Sequence, residues 1–140
     1  MKKLSIVKII ILVAMTLITA MFVRGCIRGF REPVVFIDGD MLVIRSSDCG
    51  VTLHWREIYS VRLINELPTL TRGDGFGAFN TQRGRVRTSN LGEGLAYIRV
   101  NNPPYIYLEL ISDDNYVFLN LHDADDTREL YRSIRVWLQR

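Results

Sequence analysis

Three arginines alternate with other residues along one short segment and form the densest basic feature outside the N-terminus. They are Arg83, Arg85 and Arg87. In a β-strand, side chains two residues apart point to the same face and lie about 7 Å from one another. Guanidinium groups bind phosphates and carboxylates through paired N–H donors. The spacing therefore predicts an anion or headgroup contact, with Arg72 as a fourth candidate. The alternative is an outer strand face on which the arginines pair with acids of neighbouring strands.

Two further motifs lie just before these arginines. The residues Gly73 to Ala78 match the glycine spacing of a dinucleotide-binding turn, but no helical pattern follows them, so we expect no nucleotide cofactor. Arg72-Gly73-Asp74 is an RGD tripeptide, and ordinary turn chemistry explains it equally well. The glycines are typical of a flexible loop whose backbone adopts positive φ.

The other reactive side chains are scattered. His54 and His122 have no neighbour at metal-ligand spacing, and Cys26 and Cys49 are expected to be free thiols. The run from Asp123 to Arg128 begins like a calcium loop but lacks the required glycine, and it predicts a helix N-terminus instead. We therefore expect no catalytic residues, no metal, no cofactor and no enzymatic activity.

The net charge of +3 conceals a division of the chain. The first 31 residues hold six basic residues and no acid, whereas the remainder holds 12 arginines and 15 acids. The basic excess flanks an apolar segment, and this placement suits lipid headgroups better than nucleic acid. No nucleic-acid partner is expected.

The apolar segment predicts a membrane anchor. Ile9 to Val23 carries no charge, and extension back to Leu4 gives 20 residues, enough to cross a hydrocarbon core of about 30 Å. We assign residues 1–24 to a transmembrane anchor and residues 25–32 to a basic juxtamembrane linker. The alternative is a cleavable signal peptide, for which Ile18-Thr19-Ala20 is a poor cleavage site. The short N-terminal tail favours a single-pass protein with its domain on the extracytoplasmic side.

Residues 33–140 predict a mainly β domain. Eight short apolar segments are separated by turns, among them residues 46–50 and 112–115, while Asn65 to Gln82 reads as a long irregular loop. A C-terminal helix over residues 124–139 carries one apolar face that includes Ile134 and Trp137. The expected fold is a bent antiparallel β-barrel of seven or eight strands with one C-terminal helix. The predicted strands are 34–37, 41–45, 51–55, 59–64, 83–88, 95–100, 105–111 and 116–121.

Several short motifs give the domain a resemblance to a known family. The motifs are Ile58 to Pro68, Arg72 to Gly75, Gly84, Asn102 to Ile106, Phe118 to Asn120, Asp123, Thr127 and Leu130-Tyr131. Together they resemble the bacterial PH-like (pleckstrin-homology-like) domain family, which often follows transmembrane helices. The resemblance implies a bent antiparallel barrel with a helix over one opening, and it implies no catalytic or ligand residues. One departure is Asp74, where family members commonly have asparagine.

The sequence thus predicts a membrane-anchored, non-enzymatic PH-like interaction module. Its partners would be membrane lipid through the N-terminal helix and an unidentified protein or peptide. One alternative is a small-ligand-binding or enzymatic domain that uses residues 65–82 as a lid. Another is a structural subunit of an envelope protein complex.

Overall fold

The computed structural model describes residues 2–47, 49–111 and 115–140. The chain divides into two compact units, residues 1–30 and residues 31–140. The predicted turns at 46–50 and 112–115 lie partly outside the described residues. The elements are α1 (Lys2–Phe30), β1 (Val34–Asp38), β2 (Met41–Arg45), β3 (Val51–His54), a 3-10 helix (Trp55–Glu57), β4 (Ile58–Ile64), β5 (Leu70–Ala78), β6 (Thr81–Thr88), β7 (Gly92–Arg99), β8 (Tyr105–Leu110), β9 (Tyr116–Leu119) and α2 (Ala124–Leu138).

The N-terminal unit is a single apolar helix. From Ile6 to Phe30, α1 is long and apolar enough to cross a membrane. The helix runs through most of residues 25–32, the segment expected to be a linker. It ends before Pro33, because a proline disfavours helical backbone at the residue that precedes it.

The C-terminal unit is mainly β, as predicted, but its strands form two sheets. Strands β1, β2 and β3 form an antiparallel sheet, and the second sheet has the order β4-β8-β9-β7-β6-β5. Within the described part of the chain there are nine strands rather than seven or eight. The pair β7–β9 is parallel. The outermost strands β4 and β5 do not pair with each other among the described residues. The prediction of one antiparallel barrel is therefore wrong, and the described strands form two open sheets.

The sequence predicts a long irregular loop at residues 65–82, and this prediction is wrong. Residues 70–78 form β5, and a turn at Phe79 and Asn80 leads directly into β6. Only residues 65–69 remain irregular before β5, so the segment is mainly a β-hairpin and not a loose lid. The glycines of β5 hide its strand character in the sequence, because glycine weakens the usual strand pattern.

Both faces of the six-stranded sheet are apolar. One face packs with residues of the three-stranded sheet and with Ile134 of α2. The other face holds an aromatic cluster in which the ring centroids of Tyr107, Tyr116 and Phe118 lie 5.1–6.4 Å apart. Because each face buries its own cluster, strands such as β8 and β9 are buried along almost their whole length.

Helix α2 begins where the sequence predicts. The Asp123 carboxylate accepts hydrogen bonds from the backbone N–H groups of Asp125 and Asp126 at 2.7 and 3.4 Å, which caps the helix. Trp137 stacks on Trp55, with ring centroids 5.3 Å apart and an interplanar angle of 6°. The helix is thereby held against the domain through side chains on its apolar face.

Candidate functional site

A β-bulge in β5 shapes the region around the predicted arginines. Gly73 and Asp74 of β5 lie opposite the single residue Arg85 of β6. On one side of this bulge, Gly75 and Gly84 face each other with φ of +129° and +112°, a backbone region that favours glycine. A bulge increases local twist and redirects the side chains beside it. The RGD tripeptide therefore lies in a bulged edge strand and not in a loop.

Three of the four predicted arginines line one cleft of about 540 Å³ beside this bulge, and we call it the arginine cleft. Arg72 comes from β5, and Arg85 and Arg87 come from β6. Two acids, Asp74 and Glu93, lie in the same cleft. Its remaining lining residues are Thr71, Gly73 and Val86.

Arg87 is paired across the strands with an acid of β7. Its guanidinium donates to the carboxylate of Glu93, the residue directly opposite in the β6–β7 pair. This hydrogen bond and the opposite charge raise the pKa of Arg87 and lower the pKa of Glu93. The nearby charge of Arg85 lowers the pKa of Glu93 further. Any acidic ligand of Arg87 must therefore compete with Glu93.

Arg72 lies along the outer edge of the sheet. Its guanidinium donates to the carbonyl oxygens of Gly75 and Gly77 at 3.1 and 3.2 Å. Because β5 is the last strand of the sheet, these bonds engage backbone acceptors of an edge strand. An occupied edge resists pairing with a further strand, so the edge of β5 is protected against unwanted strand addition.

Arg83 is predicted to contact an external anion, but it does not line the arginine cleft. The residue is only 5% exposed. Its Nη1 donates to the carbonyl oxygens of Gln82 and Ile98 at 3.0 and 2.5 Å, while its Nε has no hydrogen-bond partner among the described residues. Burial, followed by the charge of Arg99, lowers the pKa of Arg83 to about 10. Arg83 therefore holds β6 to β7 from inside the domain.

The two histidines have structural partners. His54 caps the 3-10 helix. Its Nδ1 accepts a hydrogen bond from the backbone N–H of Arg56 at 3.3 Å, and the backbone N–H of His54 donates to the Glu57 carboxylate at 2.7 Å. His122 Nδ1 lies 2.6 Å from Nη1 of Arg99, and because arginine only donates, this nitrogen accepts. Among the residues that the structure describes, no three His, Cys, Asp or Glu side chains are grouped to hold a metal.

Some residues that carry the family resemblance meet in a buried network that sequence reasoning did not predict. Asn120 is 1% exposed, and its Nδ2 donates to the carbonyl oxygens of Arg99 and Asn102 at 3.0 and 2.8 Å. Its Oδ1 accepts from the backbone N–H of Arg99 at 2.8 Å. The side chain of Asn102 in turn donates to the carbonyl oxygens of Leu121 and His122. These asparagines join β7, the turn before β8 and the segment that leads to α2.

Comparison of the chain with protein-family models, with curated proteins and with solved structures finds no match.

Proposed function

We propose that the protein is a membrane-anchored, non-enzymatic interaction module of PH-like type. Its arginine cleft binds an acidic segment of a protein partner. The observation that carries this proposal is that Arg85 and Arg87 lie on one face of β6 and line one cleft, with Arg72 of β5 among its other lining residues. Arginine is well suited to such a task because its planar guanidinium binds carboxylates through two parallel hydrogen bonds.

The charge balance supports an acidic ligand. Beyond the first 31 residues the chain has three more acids than bases, whereas the cleft has three arginines and two acids. A locally positive cleft on a negative domain selects ligands by position, because acidic segments are repelled elsewhere on its surface. This contrast favours a defined binding place over diffuse electrostatic attraction.

The arginine cleft lies far from Glu32 within the β domain. Arg87 lies six residues along β6 from Thr81, a distance of about 20 Å. Thr81 pairs with Arg99, which contacts His122, and the backbone N–H of His122 donates to the Glu32 carboxylate. Glu32 follows the last residue of α1 by two positions. The arginine cleft therefore lies toward the end of the sheet away from the residues that follow the anchor.

The PH-like type rests on the family resemblance, with support from one arrangement in the domain. The resemblance implies a C-terminal helix over one opening of a barrel, and α2 packs against β4 and β8 of the six-stranded sheet. The parallel pair β7–β9 departs from the expected purely antiparallel barrel.

The anchor and its topology are part of the proposal. We propose that helix α1 is a single-pass membrane anchor and that the β domain lies on the extracytoplasmic side. The full-length protein is expected to stay with membranes after an alkaline carbonate wash, and a maleimide reagent that cannot cross membranes is expected to reach Cys49 in intact cells. Release by carbonate would contradict the anchor, and a shortened mature N-terminus would indicate a cleaved signal peptide.

The binding proposal is tested with the full chain in nanodiscs of zwitterionic lipid and a fluorescent polyglutamate peptide. Replacing Arg72, Arg85 and Arg87 together by Gln is expected to weaken binding by at least about tenfold at low salt. The matched control replaces three arginines of α2, including one in an ion pair, by Gln. The control arginines are Arg128, Arg132 and Arg135.

Binding to the unmodified chain is also expected to fall as salt rises, because the contacts are between charges. The proposal is contradicted if the two triple variants lose binding equally. It is also contradicted if the unmodified chain does not bind the peptide at low salt.

A further inference from the structure

Strand β1 is an open edge of the three-stranded sheet. It pairs with β2 on one side, and within the part of the chain that the structure describes it has no strand on its other side. An edge strand presents unpaired N–H and C=O groups to any strand that can align with it. The edge of β5 differs, because Arg72 already donates to two of its carbonyl oxygens. Strand β1 is therefore open to pairing in a way that β5 is not.

The hairpin between β1 and β2 fixes which backbone groups of β1 face outward. Asp38 and Met41 pair on either side of a two-residue turn, whose first residue, Gly39, has a φ of +56°. In such a hairpin the residues that flank the turn exchange hydrogen bonds, and hydrogen-bonded pairs then alternate with non-hydrogen-bonded pairs. The N–H and C=O groups of Val35 and Ile37 therefore point away from β2, toward the open edge.

We propose that β1 pairs with β1 of a second copy of this chain, antiparallel and about a two-fold axis at Phe36. This register places Val35 opposite Ile37 of the second copy, and the reverse, so that both residues with outward-facing backbone groups form hydrogen-bonded pairs. Phe36 then lies opposite its own counterpart in a non-hydrogen-bonded pair, with Cα atoms about 4.5 Å apart. The two three-stranded sheets become one six-stranded antiparallel sheet.

Charged side chains on one face of this sheet complement each other across the axis. Arg45 reaches from β2 over β1, and its Cζ lies 5.1 Å from the centroid of the Phe36 ring. In the proposed register Asp38 of the second copy lies opposite Val34, whose partner in β2 is Arg45. Two strand spacings, about 10 Å, then separate the Cα atoms of Arg45 and that aspartate, which an extended arginine side chain spans. The axis generates this ion pair twice, and this favours a second copy over an unrelated strand.

The contact is small and independent of the function proposed above. Strand β1 has five residues, bounded by Pro33 and by the turn at Gly39. Interfaces of this size are weak in dilute solution, so the dimer is best trapped covalently. Neither the arginine cleft nor the membrane anchor enters the argument.

The test is disulfide trapping of the full chain in mild detergent, with Cys26 and Cys49 replaced by Ser. Phe36→Cys places two thiols at the non-hydrogen-bonded pair on the axis, where the Cα separation suits a disulfide. The matched control is Met41→Cys. Met41 is 39% exposed and lies on the same face of the sheet, but at least three strand spacings, about 14 Å, separate it from its counterpart.

Under the same mild oxidation, Phe36→Cys is expected to give at least about fivefold more disulfide-linked dimer than Met41→Cys. Equal yields at the two positions would indicate random collision and would overturn the proposal. So would the absence of a linked dimer at position 36. Thermal unfolding of each variant near the temperature of the unmodified chain shows that the substitutions leave the fold intact.

Exchange of charges tests the two-fold register itself. In the Phe36→Cys chain, Asp38→Arg and Arg45→Asp are each expected to lower the dimer yield at least about threefold, because each sets like charges against each other across the axis. The two substitutions together restore opposite charges and are expected to restore the yield. A double variant that folds but gives no more dimer than the single variants would overturn the proposed register.

Discussion

Gly75 of β5 and Gly84 of β6 lie directly opposite each other, and a side chain on either would collide with the neighbouring backbone. A Cβ atom on Gly75 would lie 2.1 Å from the carbonyl oxygen of Arg83, and one on Gly84 would lie 2.5 Å from that of Asp74. This close approach allows the bulge in β5, and the bulge places arginines from both strands beside the cleft.

Replacement of Gly84 by Ala is expected to lower the free energy of unfolding by about 3 kcal/mol, because backbone strain and a backbone collision add. Denaturant unfolding of the full chain in detergent measures the change. The control is Gly39→Ala, at a turn where φ is +56° and an added Cβ meets no described atom within 4 Å. The control is expected to cost about 1 kcal/mol from strain alone. Equal costs would show that the approach of β5 and β6 is looser than described.

Glu93→Gln is expected to tighten binding of the polyglutamate peptide about two- to fivefold, because it releases Arg87 from its cross-strand partner. Arg87 lowers the pKa of Glu93 below its usual value of 4.5. In the unmodified chain the Glu93 carboxylate is therefore charged at neutral pH and competes with the peptide for Arg87. Fluorescence anisotropy at low salt measures the change. Weaker or unchanged binding would indicate that Arg87 does not contact the ligand.

Asn120→Ala is expected to lower the free energy of unfolding by about 3 kcal/mol. The substitution leaves two partly buried carbonyl oxygens and one backbone N–H without their partner, and each such loss costs about 1–3 kcal/mol. The exposed Asn90→Ala is the control and is expected to change stability by less than about 0.5 kcal/mol. A loss below 1 kcal/mol at position 120, on the order of one surface hydrogen bond, would mean that the network does not hold the domain together.

Trp137→Ala is expected to cost about 2–3 kcal/mol, near the lower end for large aromatic truncations, because Trp137 is half-buried. The loss removes the stacked partner of Trp55. Trp137→Phe preserves an aromatic ring and is expected to cost about half as much. Urea unfolding followed by circular dichroism compares the two variants. A loss of less than 1 kcal/mol for Trp137→Ala would show that the stack does not dock α2.

Elements with a regular local pattern were predictable from sequence. Helix α2 combines an acidic cap with apolar residues at helical spacing, and its observed bounds agree with the predicted ones to within one residue. Most of the predicted strands also agree, because β-branched and aromatic residues between turn residues favour strands wherever they later pair. The exception is β5, whose strand character depends on the close approach of Gly75 to Gly84, a contact with no local pattern in the sequence.

The lining of the arginine cleft was predictable in part for a related reason. Alternation along β6 identifies Arg85 and Arg87, and proximity along the chain suggests Arg72, all of which line the cleft. Alternation does not reveal that Arg83 is buried, because its burial depends on β7 and on residues distant in sequence. The asparagine network was missed because Asn102 and Asn120 act through backbone groups that only the folded chain brings together.

The most direct measurement of the central claim is an NMR titration of the full chain in zwitterionic nanodiscs with polyglutamate, monitored at the arginine Nε–H groups. We predict shifts at Arg72, Arg85 and Arg87. The buried Nε–H of Arg83 and those of the exposed arginines of α2 are predicted to stay in place. Shifts that spread equally over the α2 arginines, or a cleft that shows none while the peptide is bound, would contradict the arginine cleft as the binding site.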